Sequence, residues 1–251
     1  MPSRVIMTLK QTGEEKIGYY YSSLFQGALM EMLNPDYVAY LHESQLHPYS
    51  QFLQFQNGKI IWTVNALDEE ADSQIIKTLL SNQLTNIRIK AHQQEFTIED
   101  KKMESVSYDA LIRTYFLGQG GRFLNLEFKT PTTFKSGERY QLFPSSRLIF
   151  QSLMMKFDQA STENSIYSDE ILREIEEKTE IVGYRLRSTR FHMEGIKIPS
   201  FLGEATVRIN GTAQLANVCR MLAAFGEYSG VGIKTGEGMG ALGVIDPVPG
   251  R

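Results

Sequence analysis

The chain has 251 residues, 42% hydrophobic and 22% charged, a formal net charge of −3 and a single cysteine, Cys219. These values fit a folded protein long enough for two ordinary domains, and they exclude a disordered polyelectrolyte, an intramolecular disulfide and a zinc site built on cysteines. No apolar run reaches the length of a bilayer span, and the N-terminal MPSRVIMTLKQTGEEK turns charged too early for a secretory signal, so a cytoplasmic protein without membrane contact is expected.

Arg4–Leu9 reads as the opening strand. Leu24, Phe25, Ala28, Leu29, Met32 and Leu33 recur at helical spacing, which predicts a helix over Ser22–Leu33 with Ser22 as its N-cap. Asn34-Pro35 stops that helix and starts a shorter one, Asp36–His42. Asn57-Gly58 between the apolar runs Gln51–Gln56 and Lys59–Ala66 is a hairpin signal. A helix over Ala71–Ser81 follows, with Ile75, Ile76, Leu79 and Leu80 on one side, and then extended stretches at Leu84–Lys90 and Glu95–Ile98. Strand, helix, strand, strand, helix, strand is the ferredoxin-like order.

Gly118-Gln119-Gly120-Gly121 reads as the boundary between residues 1–120 and 121–251. The order then recurs. Arg122–Lys129 is a strand, with a turn at Pro131 and another extended piece. Ser145–Phe157 is a helix with an inner stripe of Leu148, Ile149, Ser152, Leu153 and Met154, and Ser168–Lys178 is a more acidic one. Gly183–Arg190 and Ala205–Asn210 are expected to form a hairpin around a long connection. Ala213–Phe225 is a helix with Leu215, Val218, Cys219, Leu222 and Phe225 on its apolar face, and Ala241–Ile245 closes as a strand. The fold class expected is α+β, two tandem ferredoxin-like domains.

Gly230–Gly240 (GVGIKTGEGMG) holds five glycines. Freed backbone N–H groups in such a run make a cradle for phosphate oxygens. It is not a Walker loop, because Ile233 separates Gly232 from Lys234-Thr235, and not a dinucleotide fingerprint, because the order here is helix, loop, strand. Gly230, Gly232, Gly238 and Gly240, with Val231 and Met239 in the apolar slots and Lys234 in the spacer, resemble the Gly-h-Gly-x5-Gly-h-Gly signature of the CRISPR-associated repeat-RNA endoribonucleases of the RAMP superfamily. Phe25-Gln26-Gly27 through His42-Glu43, Phe128–Ser136 and Phe143–Leu153 resemble the family as well, most closely its members serving type III systems.

The resemblance implies RRM-like ferredoxin domains. It also implies cleavage of CRISPR precursor RNA within repeats by attack of a 2′-OH, leaving a 5′-OH and a 2′,3′-cyclic phosphate, with neither metal nor cofactor. Such cleavage needs proton transfer, for which histidine is suited. The family's catalytic Leu-His position matches His42, and His47 falls where some members carry a catalytic lysine. A first-helix tyrosine found in some members is replaced here by Met30. His92 and His192 are expected to be structural. Arg185 and Arg187 project to one face of a strand and, with Arg190, form either a solvated face or an RNA-gripping surface, which Lys129, Lys135 and Arg147 extend. A two-histidine phosphoesterase is disfavoured, because only His42-Glu43-Ser44 fits its motif. The alternative kept open is a non-catalytic RNA-binding scaffold subunit. Product transfer to a type III interference complex and homodimer formation are further expectations.

Overall fold

The computed structural model describes residues 1–13, 17–44, 46–116, 121–161, 163, 165–193 and 195–245. In the first half, β1 (Ser3–Gln11) leads into α1 (Tyr21–Met32) and α2 (Pro35–Glu43), then the hairpin β2 (Tyr49–Gln56) and β3 (Lys59–Ala66). Helix α3 follows as an α turn at Glu69–Ala71, a π turn at Asp72–Ile76 and an α turn at Lys77–Leu80, before β4 (Asn86–Ile89) and β5 (Gln94–Ser105). The antiparallel sheet has the order β2-β3-β1-β5-β4. Apart from the edge strand β4, this is the ferredoxin-like arrangement.

A helix that the sequence pattern did not single out, α4 (Tyr108–Phe116), comes next. Its Tyr108 ring packs edge-on to Phe157, 5.4 Å between centroids, so the chain reaches the second core before β6. The expected boundary residues Gly118, Gln119 and Gly120 lie outside the described residues. The second half comprises β6 (Phe123–Thr132), the small hairpin β7 (Phe134–Ser136) and β8 (Arg139–Gln141), α5 (Ser146–Ala160), α6 (Asp169–Lys178), β9 (Thr179–Met193), β10 (Ile196–Ile209), α7 (Ala213–Ser229) and β11 (Leu242–Ile245). Its sheet order, β11-β6-β10-β9, is again ferredoxin-like. The chain is therefore α+β with two ferredoxin-like domains, and each sheet covers its own buried cluster.

Several local expectations change. Ser22 is not an N-cap: Tyr21 N and Ser22 N already donate to Gly18 O and Tyr19 O, so the helix starts earlier, and the Ser22 hydroxyl is buried and accepts from Leu53 N at 3.3 Å. Pro131 makes no turn. It continues β6, and its carbonyl accepts from Gly240 N. The hairpin foreseen around a long connection is a continuous ladder from Ile196↔Met193 to Ile209↔Thr179, with one register shift at Thr206/Val207. Gly203 and Pro199 disguised it as loop. On α5 the fully buried residues are Ile149, Phe150, Leu153, Met154 and Phe157, whereas Leu148 and Ser152 are half-buried. Ser145 and Ser168, the first residues of two expected helices, turn out to be the N-caps of α5 and α6, accepting from Leu148 N and from Glu170 N and Ile171 N.

Candidate active site

The glycine-rich segment begins where α7 ends. Gly230 takes φ +64° as the C-cap, Gly232, Gly238 and Gly240 are also at positive φ, and Lys234 adopts the left-handed region at φ +57°. The segment is folded onto the protein by its own amides. Gly230, Val231, Gly232, Ile233, Met239 and Gly240 N–H donate to Gly226 O, Gly240 O, Ser152 Oγ, Thr133 O, Lys234 O and Pro131 O. This differs from a cradle of freed amides: these donors close the loop instead, because a loop buried between two domains must satisfy its backbone internally. Gly238 shows why glycine is required there. A Cβ on it would collide with Ser22 Cβ on α1, at a φ of +104° that L side chains rarely adopt.

Docking is reinforced from the first domain. Gln51 of β2 donates through Nε2 to Ser22 O (2.8 Å) and Gly236 O (3.0 Å), while Trp62 Nε1 donates to Gln51 Oε1 (2.9 Å). Ser50 Oγ donates to Tyr228 O, and the Arg4 guanidinium lies 3.9 Å from the centroid of the Tyr228 ring. Gln159 of α5 donates to Leu46 O at 2.6 Å, tying down the segment between α2 and β2.

That segment carries the two histidines. His42 stands exposed in the last turn of α2. His47 is half-buried beside Tyr49, with ring centroids 5.5 Å apart, and the glycine loop presses on both: a Cβ on Gly236 would lie 3.1 Å from Tyr49 Oη and 3.2 Å from His47 Cδ2. Burial pushes the His47 pKa down. The Glu237 carboxylate opposes this, and the charges of His42, Lys234 and Lys156 add to it. His47 Nδ1 and Glu237 Oε2 are both buried without a hydrogen-bond partner among the described residues, while Glu237 Oε1 accepts from Lys234 Nζ at 3.3 Å. The structure thus brings His47, Lys234 and Glu237 into one electrostatic neighbourhood from elements far apart in sequence.

Two members of this neighbourhood were not foreseen: Glu237 and Lys156. Lys156 is buried on α5, and its ammonium donates to Ser229 O (3.2 Å), Gly230 O (3.3 Å) and Thr235 Oγ1 (3.1 Å). It therefore caps the carbonyl end of α7, where a cation complements the helix dipole, and fixes the entry to the loop. Burial lowers its pKa to about 7, against the attraction of Glu237. The signal was available in the sequence, because a helical period from Ile149 and Leu153 puts position 156 on the inner face. A hollow of about 260 Å³ opens between α5 and the loop, lined by Leu46, Lys135, Leu148, Ser152, Lys156 and Gly232, among others.

The remaining predicted residues lie elsewhere. Arg185, Arg187 and Arg190 are exposed on β9, the edge strand of the second sheet, and alternation sets Arg190 on the opposite face from Arg185 and Arg187. Arg147 is paired with Glu176 at 2.7 Å, and Lys135 is exposed on β7. His92 and His192 are exposed, not packed into a core, and Met30 is half-buried on α1. Cys219 is buried, which pushes its thiol up to about 12. Among the described residues no group of three or more His, Cys, Asp or Glu side chains is placed to hold a metal ion, and no helix is long and apolar enough to cross a membrane.

Comparison with known proteins adds to this geometry. The sequence profile of a family described as CRISPR-associated endoribonuclease Cas6 matches residues 126–242. The CRISPR-associated endoribonuclease Cas6 of Streptococcus thermophilus is 34% identical over 218 residues, covering 87% of this chain and 88% of that protein. The protein of the same name from Mycobacterium tuberculosis (strain CDC 1551 / Oshkosh) is 31% identical over 224 residues, 89% of this chain and 71% of its own. Among solved structures, a Cas6 product complex superposes with a TM-score of 0.81 at 19% identity, over 98% of this chain and 99% of that one. Thermus thermophilus Cas6 gives 0.73 at 23% identity, over 98% of both chains. At such identities the solved structures speak for the fold.

Proposed function

Since the chain belongs to the CRISPR-associated endoribonuclease Cas6 family, we propose that it cuts CRISPR precursor RNA once per repeat, without a metal ion, by attack of a ribose 2′-OH on the adjacent phosphate. The products are a 5′-OH end and a 2′,3′-cyclic phosphate. The observation that carries this reading is the docking of the glycine-rich loop against the segment from α2 to β2, which sets Lys234 and Glu237 beside His47. Such a site has the parts that the reaction requires: imidazoles for proton transfer and a cation for the charge developing on phosphorus.

In this reading His47, with its pKa held down by burial, takes the proton from the 2′-OH. His42, at the solvent-facing end of α2, delivers a proton to the leaving 5′ oxygen. Lys234, on the ordered loop with Gly230, Gly232, Gly238 and Gly240, faces the phosphate. Arg185, Arg187 and Arg190 on β9 position the RNA through its backbone. The protein acts in the cytoplasm and passes its product to a type III interference complex; a homodimer is the oligomer to look for.

His42→Ala and His47→Ala test the assignment. Each should lower the single-turnover cleavage rate by about 10²–10⁴-fold while RNA affinity stays within a few-fold of wild type. Loss of binding in parallel with cutting would make the histidines structural. A wild-type chain that binds repeat RNA and never cuts it would favour the scaffold subunit.

A further inference from the structure

Away from the histidines, two large rings are left in solvent together. Tyr184 on β9 is 64% exposed and Phe143, just before α5, is 52% exposed. They touch edge to face, with centroids 5.2 Å apart and planes at 85°. Leu142 and Tyr140 nearby in sequence are exposed as well. An edge-to-face pair forms two walls of a right-angled corner, and a flat ring entering it can stack on one wall while its edge meets the other. We infer that the corner made by Phe143 and Tyr184 is a stacking subsite for one unpaired nucleobase of the RNA. This rests on the RNA-cutting reading above and extends it to a contact that reads single-stranded substrate.

Charge favours a nucleic acid over a protein partner. Lys135 and Arg139 lie on the β7–β8 hairpin that precedes Phe143, and Arg147 lies on α5 just after it, whereas Arg185 and Arg187 project from the other face of β9 than Tyr184. On that hairpin the acid is Glu138, while Glu176 of α6 is already bonded to Arg147 and Glu180 of β9 to Arg208. Aromatic faces interleaved with cations are how single strands are held, since every base has a π-face and phosphates follow alongside. Placement favours it too. Phe143 precedes Ser152 by nine positions, mostly along α5, or about 13 Å at the helical rise. The 260 Å³ hollow beside Lys135, Leu148 and Ser152 occupies part of that interval. A strand leaving the histidines along α5 reaches the corner within a few nucleotides.

The test uses full-length protein and repeat RNA carrying 2-aminopurine at successive unpaired positions. Binding to wild type should quench the probe strongly at one position. Phe143→Ala and Tyr184→Ala should each abolish that quench and weaken binding about 5- to 100-fold. Both should leave the slope of log affinity against log salt unchanged, and Tyr184→Phe should behave as wild type. The cleavage rate of saturated enzyme should stay within a few-fold. Alanine variants that bind and quench as wild type does, while the RNA is still cut, would overturn the subsite and leave the functional reading standing. So would variants whose only change is in oligomeric state, which would make the patch a protein interface. A wild-type chain that binds no RNA would overturn both.

Discussion

In the first domain the central hairpin is short, Tyr49–Gln56 with Lys59–Ala66, and turns tightly at Asn57-Gly58. In the second domain the equivalent hairpin, Thr179–Met193 with Ile196–Ile209, is nearly twice as long and holds Arg185, Arg187 and Arg190 in solvent. The connection from the second helical layer to the last sheet strands differs as well. In the first domain α3 runs into short turns and β4, whereas in the second α7 ends in the glycine loop, which crosses to the other domain. The shared topology supplies two stable platforms. In the proposed reading the departures from it supply the chemistry, and one of them joins the domains: the loop leaves the second domain to sit on β2 of the first.

The sharpest way to break this comparison is to treat one glycine from each domain alike. Gly238→Ala puts a Cβ into Ser22 at positive φ and should destabilise the protein by about 3 kcal/mol or more, with loss of cutting. Gly58→Ala, at φ +76° with nothing within 4 Å, should cost only about 1–2 kcal/mol and leave cutting intact. Denaturant unfolding of the two variants checks it, and equal losses would mean that the loop is no more constrained than a surface turn.

A second effect concerns Lys156. Its folded-state pKa, about 7, lies below the ordinary 10.5, so between those values the unfolded chain binds more protons and stability should rise with pH. Lys156→Met should flatten that rise in unfolding free energy from pH 7 to pH 10, and an unchanged slope would contradict the burial-lowered pKa. The smallest effect belongs to the long hairpin. Arg185→Ala should reduce the salt slope of RNA binding by about one charge and leave the rate of the bound complex unaltered. The matching exposed cation of the first domain's hairpin, Lys59, is paired with Glu99 at 3.3 Å, and its replacement should leave both the salt slope and the rate unchanged.

What was legible in the sequence was local. Asn57-Gly58 announced its hairpin because turn chemistry is written in two residues, and apolar spacing announced the helices over Ser145–Phe157 and Ser168–Lys178. The order of elements, and hence two ferredoxin-like domains, followed from periodicity. Non-local facts were hidden. The strand β10 was obscured because Pro199 and Gly203 look like breakers, yet the edge-side ladder tolerates them. Helix α4 escaped because it is short and its anchor, Tyr108, finds Phe157 nearly fifty positions away. The π turn in α3 left no mark. At the site, the histidines and the glycine pattern stood out by resemblance, but Glu237 is an acid inside a spacer and Lys156 a lysine inside an apolar stripe. Each acquires meaning only when the loop folds onto β2 and α5.

The central claim is that this docked loop and the segment bearing His42 and His47 cut RNA using the ribose's own hydroxyl. The direct measurement is cleavage of repeat RNA in excess EDTA, compared with the same RNA carrying one 2′-deoxy sugar at the scissile position. The account predicts full cutting in EDTA with a 2′,3′-cyclic phosphate on the upstream product, and no cutting of the deoxy substrate. Scission that depends on magnesium, or that proceeds without the hydroxyl, would contradict it.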